Sequence, residues 1–223
     1  MVLFKPLSFP LMPRPLIALL AVLAWLTLGT QFYISVSNAI ADGHGPWHGV
    51  VQYLGYFTLI TNILCASVVT AHLFPSATDP TARFLRRAGV ATTAATAIII
   101  VGVVYHFVLA ATWNPTGLDL AVDTMLHYVL PVAFVVFWAR TVGRGEVAFK
   151  DIPGWIGYPL GYAIYVFARG AMISDYPYPF INVAALGYGL ALRNAVGIAL
   201  VFIVLAALMI VVNRAIGPAR APK

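Results

Sequence analysis

The sequence predicts an all-α polytopic membrane protein, with six transmembrane helices in one bundle that forms a single domain over residues 1–223. Three observations carry that prediction. Of 223 residues, 61% are hydrophobic and only 9% charged, a composition foreign to ordinary soluble domains. The apolar residues fall into six runs, each long enough to cross a bilayer as a helix. The basic residues gather in alternate connections: Lys5, Arg14, Arg83, Arg86, Arg87, Arg140, Arg144, Lys150, Arg214, Arg220 and Lys223 share one side if there are six spans. Only Arg169 and Arg193 fall toward the other side. The positive-inside rule then puts both termini in the cytoplasm.

The first span covers about residues 15–38, after a short basic, proline-rich start. Ala39-Ile40-Ala41 behind it resembles a signal-peptidase site. The run exceeds the roughly 7–15 residues of a signal h-region, which predicts an uncleaved first helix. His44 and His48 belong to the loop that follows. The second span covers about 51–74, with His72 at its cytoplasmic boundary, and the third, rich in Ala, Thr and Gly, covers about 88–113. Small residues of this kind let helix backbones approach closely in lipid. Asn114-Pro115-Thr116-Gly117 is a turn. The fourth span, about 118–140, contains Pro131, which is expected to kink it. A charged connection leads to the fifth span, about 153–172. Prolines, glycines and tyrosines crowd residues 174–189 and predict a structured interfacial loop before the sixth span, about 190–213.

The formal charge of +6 lies in these connections rather than on one face, so nucleic acid is not an expected partner. The one cysteine, Cys65, lies inside the second span, which leaves no intramolecular disulfide and no cysteine-rich metal site.

The second span carries the most informative stretch. Thr58, Thr61, Asn62 and Cys65 stand at offsets of three, four and seven, which stack on one helical face. In hydrocarbon such a stripe is expected to turn inward. Thr58, His106 and His127 lie equally far from the outer ends of their spans, roughly 10 Å deep at 1.5 Å per residue. Asp123 is one turn from His127, while Tyr158, Tyr162, Tyr165 and Arg169 form a stripe on the fifth span. A single threonine in a membrane helix usually bonds its own i−4 carbonyl, and tyrosines near span ends usually anchor the interface. Ionisable residues at membrane depth are costly to bury and point to function. His127 could remove the proton of the Thr58 hydroxyl, with Asp123 fixing its tautomer. Thr61 and Asn62 could bond an oxyanion. Arg169 could hold a substrate carboxylate beside Tyr165, or pair internally with Asp123 or Asp175.

These residues sit in recognisable motifs: Tyr56-Phe57-Thr58 followed by Thr61-Asn62, His127-Tyr128-Val129-Leu130-Pro131, Tyr158-Pro159, Tyr176-Pro177-Tyr178-Pro179-Phe180, and Gly187-Tyr188-Gly189. Together they resemble the androgen-induced protein and androgen-dependent TFPI-regulating protein family of integral-membrane threonine hydrolases, and more closely its small bacterial relatives. The resemblance covers nearly the whole chain, and its bacterial branch implies a location in a bacterial inner membrane. It implies a threonine nucleophile at Thr58 and a catalytic histidine at His127, although that histidine stands one residue closer to the proline than in the animal members. It also implies a fatty-acyl ester substrate, which the animal members cleave. The expected activity is therefore a threonine-based lipid esterase that needs no metal or other cofactor. A transporter or binding protein for an amphipathic anion, with Arg169 as anchor, is the alternative from another class. A haem-binding cytochrome with His106 and His127 as axial ligands is a third.

Overall fold

The computed structural model describes residues 10–216 and residue 218. Lys5, Arg220 and Lys223 lie outside the described residues. Every regular element among those described is helical. Helix α1 (Arg14–Ala41) starts behind Pro13, with Pro15 in its first turn, where the missing N–H is no loss. A turn through Gly43, at φ 81°, leads to α2 (Pro46–Gly55). Helix α2 folds back on α1 so closely that a Cβ on Gly49 would stand 2.6 Å from the Ser35 carbonyl oxygen.

The second span is not one helix. It divides at Tyr56, whose φ of −87° and ψ of 128° are extended, and α3 (Phe57–Leu73) starts afresh at a 78° bend. Hydropathy runs unbroken through the bend, so the expectation of a continuous helix over 51–74 is corrected here. The cause is local packing. Gly55 ends α2 where a Cβ would come within 3.1 Å of the Arg169 guanidinium carbon. The Gly55 carbonyl, released from helical bonding, accepts a hydrogen bond of 3.0 Å from the Tyr162 hydroxyl. Non-helical backbone is tolerated at membrane depth when protein groups satisfy it in this way.

A short helix α4 (Pro80–Leu85), capped by Asp79, leads to α5 (Ala88–Val104). Helix α5 continues into a π-helical turn at Tyr105–Leu109. The third span therefore ends at Leu109, short of the expected residue 113. Thr92, Thr93 and Thr96 bond their own i−4 carbonyls, and Thr92 also accepts from the Trp138 indole at 2.9 Å. Helix α6 (Gly117–Thr124), a second π-helical turn at Met125–Val129 and α7 (Leu130–Thr141) make one continuous 25-residue run. The irregularity expected from Pro131 takes this form. Proline lacks the N–H that would meet the His127 carbonyl and its ring crowds that oxygen, so the preceding turn widens.

Beyond a 3₁₀ turn at Phe149–Asp151, α8 (Ile152–Trp155) and α9 (Gly157–Ile173) follow with only Ile156 between them. Ser174, at φ 55°, ends α9. The loop beyond it is shorter than expected, because α10 (Val183–Ile216) already begins at Val183, with a kink at Gly187 (φ 71°).

Four helical runs (Arg14–Ala41, Ala88–Leu109, Gly117–Thr141 and Val183–Ile216) are long and apolar enough to cross a membrane, and the bent pair α2–α3 makes up to five. Their outward faces are apolar too: Leu19, Leu26, Val204 and Val211 are all more than half exposed. Helices apolar on every side belong in a membrane. Phe134, Phe137, Trp138 and Phe202 fill the centre of the core.

Contacts between connections define one basic end of the molecule. Arg14 donates to the Leu73 carbonyl at 2.8 Å, and Arg86 to those of Phe74 and Ala77 at 3.0 and 2.7 Å. Asn213, near the end of α10, bonds the carbonyls of Val142 and Gly143, both at 3.2 Å. The start of α1, the end of α3, the end of α7 and the end of α10 thus share this end.

Candidate functional site

The polar stripe of α3 is buried as a unit, with Thr58, Thr61, Asn62 and Cys65 all facing the interior. Because the helix begins at Phe57, Thr58 sits in a first turn rather than mid-helix. Backbone N–H groups there have no partner within the helix. The Thr58 N–H donates instead to the Tyr178 hydroxyl at 3.2 Å, and that hydroxyl also lies 3.4 Å from Thr58 Oγ1. Tyr178 comes from the loop between α9 and α10. It packs on Val166 and Ile181, with Phe57 and Tyr162 around them, as a small second core.

His127 lies in the π-helical turn at Met125–Val129. Its Nδ1 is 2.9 Å from the Asp123 carbonyl oxygen and 3.2 Å from Asp123 Oδ1. The Tyr105 ring stacks on the imidazole with centroids 3.8 Å apart and planes 13° from parallel. The Tyr105 hydroxyl in turn donates to Asp123 Oδ2. The pair Asp123–His127 was readable from its spacing, but its third member, Tyr105, was not. The only signal for Tyr105 was its place next to His106 on the third span. His106 is itself in a π-helical turn, exposed, with Nδ1 3.2 Å from the Tyr128 hydroxyl.

Asn62 connects the two halves. Its Nδ2 donates to the Thr58 carbonyl at 2.9 Å and to the Leu126 carbonyl, next to His127, at 3.4 Å. Among the described residues Thr58 and His127 share no hydrogen bond: one hydroxyl is held by Tyr178, the other ring by Asp123. Thr61 is fully buried and bonded to the Tyr158 hydroxyl at 3.0 Å. Both residues expected to supply oxyanion bonds, Thr61 and Asn62, therefore hold helices together. The donors that the fold does present beside the Thr58 hydroxyl are the Thr58 N–H and the Tyr178 hydroxyl.

Arg169 is 7% exposed and gives its terminal nitrogens to Asp175, at 2.8 Å to the carbonyl and 2.6 Å to the carboxylate. Of the alternatives open from sequence, this geometry is the internal pair with Asp175. It clamps the start of the Tyr178 loop onto α9, where Gly170 also leaves room for the Tyr176 ring. Tyr165, on the same stripe, is 40% exposed and touches the ring of Tyr162.

An apolar cleft of about 450 Å³ lies between α5 and α7, lined by Gly102, His106, His127, Tyr128, Pro131 and Val135 among others. Thr58 is not on its wall. Gly102 permits the close approach of the two helices, since a Cβ there would lie 3.1 Å from the His127 carbonyl oxygen.

Compared with protein-family models, curated proteins and solved structures, the chain finds no match. No group of three or more His, Cys, Asp or Glu able to hold a metal ion occurs among the described residues.

Proposed function

We propose that the protein is an integral-membrane threonine hydrolase that cleaves fatty-acyl esters, with Thr58 as nucleophile and His127 as base. The observation that carries the reading is the His127 site. An imidazole braced through Nδ1 by Asp123 has no hydrogen bond at Nε2 among the described residues, and it lies on the wall of an apolar cleft suited to an acyl chain. Asn62 bonds the Thr58 carbonyl on one side and the turn that carries His127 on the other. The family resemblance of the motifs around Thr58 and His127 supports the same assignment.

In this mechanism the Thr58 hydroxyl swings from Tyr178 toward His127. Its oxygen attacks the acyl carbon while its proton passes to His127 Nε2. The tetrahedral oxyanion accepts hydrogen bonds from the Thr58 N–H and the Tyr178 hydroxyl. Collapse breaks the ester C–O bond, and the leaving alcohol takes the proton from His127. Water, deprotonated by the same nitrogen, then releases the fatty acid and regenerates Thr58. Aspartate at Nδ1 holds the ring in the tautomer that each step requires.

We further read the chain as crossing a bacterial inner membrane six times, with both termini cytoplasmic. Helix α9 is 17 residues long, and α8 directly before it brings the run to bilayer length. The shared basic end supports an even number of crossings and a cytoplasmic position for that end.

Labelling of the purified protein by a fluorophosphonate probe tests the chemistry. Labelling lost in Thr58→Ala supports it, whereas labelling that persists in that variant, or is absent in the native protein, removes Thr58 as nucleophile. One observation favours a second reading. His106 and His127 line the same cleft and each ring is held through Nδ1, an arrangement in which the two Nε2 atoms could ligate a haem iron. Strong visible absorption by the purified protein would favour that reading over the hydrolase.

A further inference from the structure

A second cleft, of about 640 Å³, opens at the basic end of the molecule between α3, α5 and the α8–α9 run. Its rim carries Arg87, immediately before α5, and Lys150, in the 3₁₀ turn before α8. Both are exposed, and neither is ion-paired among the described residues. Asp151, the one carboxylate on the wall, is occupied in accepting the Ala148 N–H at 2.8 Å. The lining therefore keeps an excess of one positive charge.

The interior of this cleft points to the same kind of ligand. Trp155 is 7% exposed, and its indole N–H, which lies against Gly89, has no hydrogen-bond partner among the described residues. Indole is a donor only, so an acceptor placed in the cleft is the partner this N–H lacks. It sits beside the first turn of α5, whose N–H groups add partial positive charge. The same wall has an apolar part, with half-buried Leu64 and Val90 beside Tyr158. A cationic rim, an unpartnered donor and an apolar stretch of wall match one end of a lipid and the start of its chains.

We propose that this cleft binds an anionic glycerophospholipid, with the headgroup phosphate between Arg87 and Lys150, one phosphate oxygen on the Trp155 N–H, and an acyl chain along Leu64 and Val90. Basic pockets between spans at a membrane surface hold acidic headgroups through the same electrostatics. The site is separate from the chemistry at Thr58 and stands or falls without it.

Thermal unfolding of the full-length protein in neutral detergent tests it, with dioctanoyl phosphatidylglycerol, dioctanoyl phosphatidylcholine or inorganic phosphate added. The phosphatidylglycerol should raise Tm by several degrees, and the other two should not. The double variant Arg87→Gln/Lys150→Gln should keep the lipid-free Tm and lose the shift. Trp155→Phe should weaken the apparent affinity about tenfold, the loss of one hydrogen bond to a charged group. An equal shift with phosphatidylcholine would mean general lipid solvation, and an equal shift with phosphate alone a free-anion site; either overturns the proposal. So does a full phosphatidylglycerol shift in the double variant. If that variant fails to accumulate, acetylation of Lys150 in the native protein decides, since phosphatidylglycerol but not phosphatidylcholine should protect it. An amine that reacts equally in both lipids rules the site out.

Discussion

The two halves of the candidate site reach membrane depth by different departures from the helix. At Thr58 the backbone breaks: α2 ends, the chain turns by 78°, and α3 restarts with a first turn whose N–H groups face other partners. At His127 the helix continues but widens by one π-helical turn ahead of Pro131. The first device frees a backbone acceptor, the Gly55 carbonyl, and a backbone donor, the Thr58 N–H, and therefore depends on distant side chains, Tyr162 and Tyr178, to satisfy them. The second keeps the helix whole and redirects one side chain, braced by its own neighbour Asp123. A break supplies donors, whereas a π-turn supplies aim. The proposed hydrolase, which must hold an oxyanion and move a proton, would use both.

The sharpest test of this pairing is loss of the reactive groups. Thr58→Ala and His127→Ala should each lower ester hydrolysis by roughly 10⁴-fold while leaving the folded yield unchanged. Because the two act as one unit, the double variant should be scarcely slower than either single one. Losses that multiply would separate the two halves and end the nucleophile–base assignment.

Next in size is the brace on the broken side. Tyr178→Phe removes one oxyanion donor while keeping the ring that packs on Val166, and should reduce kcat by about 10²–10³-fold with little change in KM. An unchanged kcat would leave Tyr178 as packing alone. Arg169→Gln acts one step further out, through the loop that delivers Tyr178. It should lower stability by about 1.5–3 kcal/mol, the range for hydrogen bonds to charged groups. Carboxylate-bearing and neutral esters should lose activity equally. A selective loss for the carboxylate-bearing esters would return Arg169 to the role of substrate anchor.

What the sequence revealed, and what it hid, follows the same division. The apolar runs and the inward stripe of Thr58, Thr61, Asn62 and Cys65 were legible because helical periodicity and hydropathy are local. So was Asp123 beside His127, one turn away on one helix. The break at Tyr56 was not, because Gly55, Tyr56 and Phe57 bring no charge or proline to mark it, while Tyr162 and Arg169, more than a hundred residues later, create the conditions for it. Tyr178 was hidden for the same reason. Depth along a span could also be counted, at a fixed rise per residue, but the rotation of one span against another could not. That is why Thr58 and His127 could be set at one level while their actual partners, Tyr178 and Asp123, remained open. Thr61 and Asn62 show the limit most clearly: their face was right, and their partners are helices rather than an oxyanion.

The smallest expected effect belongs to the widened turn itself. Pro131→Ala restores an N–H four residues beyond the His127 carbonyl, which can then close an ordinary α-helical bond. The turn at Met125–Val129 should narrow, and the imidazole should rotate away from the stacking position on Tyr105. Alanine also favours the helix over proline, so the variant should unfold at a slightly higher temperature than the native protein. Activity should fall, but by no more than about tenfold, because Asp123 and His127 stay one turn apart and can still bond; about 1.4 kcal/mol of lost positioning corresponds to that factor. The direction of the two changes is what matters. A more stable and slower protein means that the π-turn is kept for aim at some cost in stability. A less stable protein with unchanged turnover would mean that Pro131 serves the packing of α7 against Gly102, and that the widened turn is a by-product without a part in the chemistry.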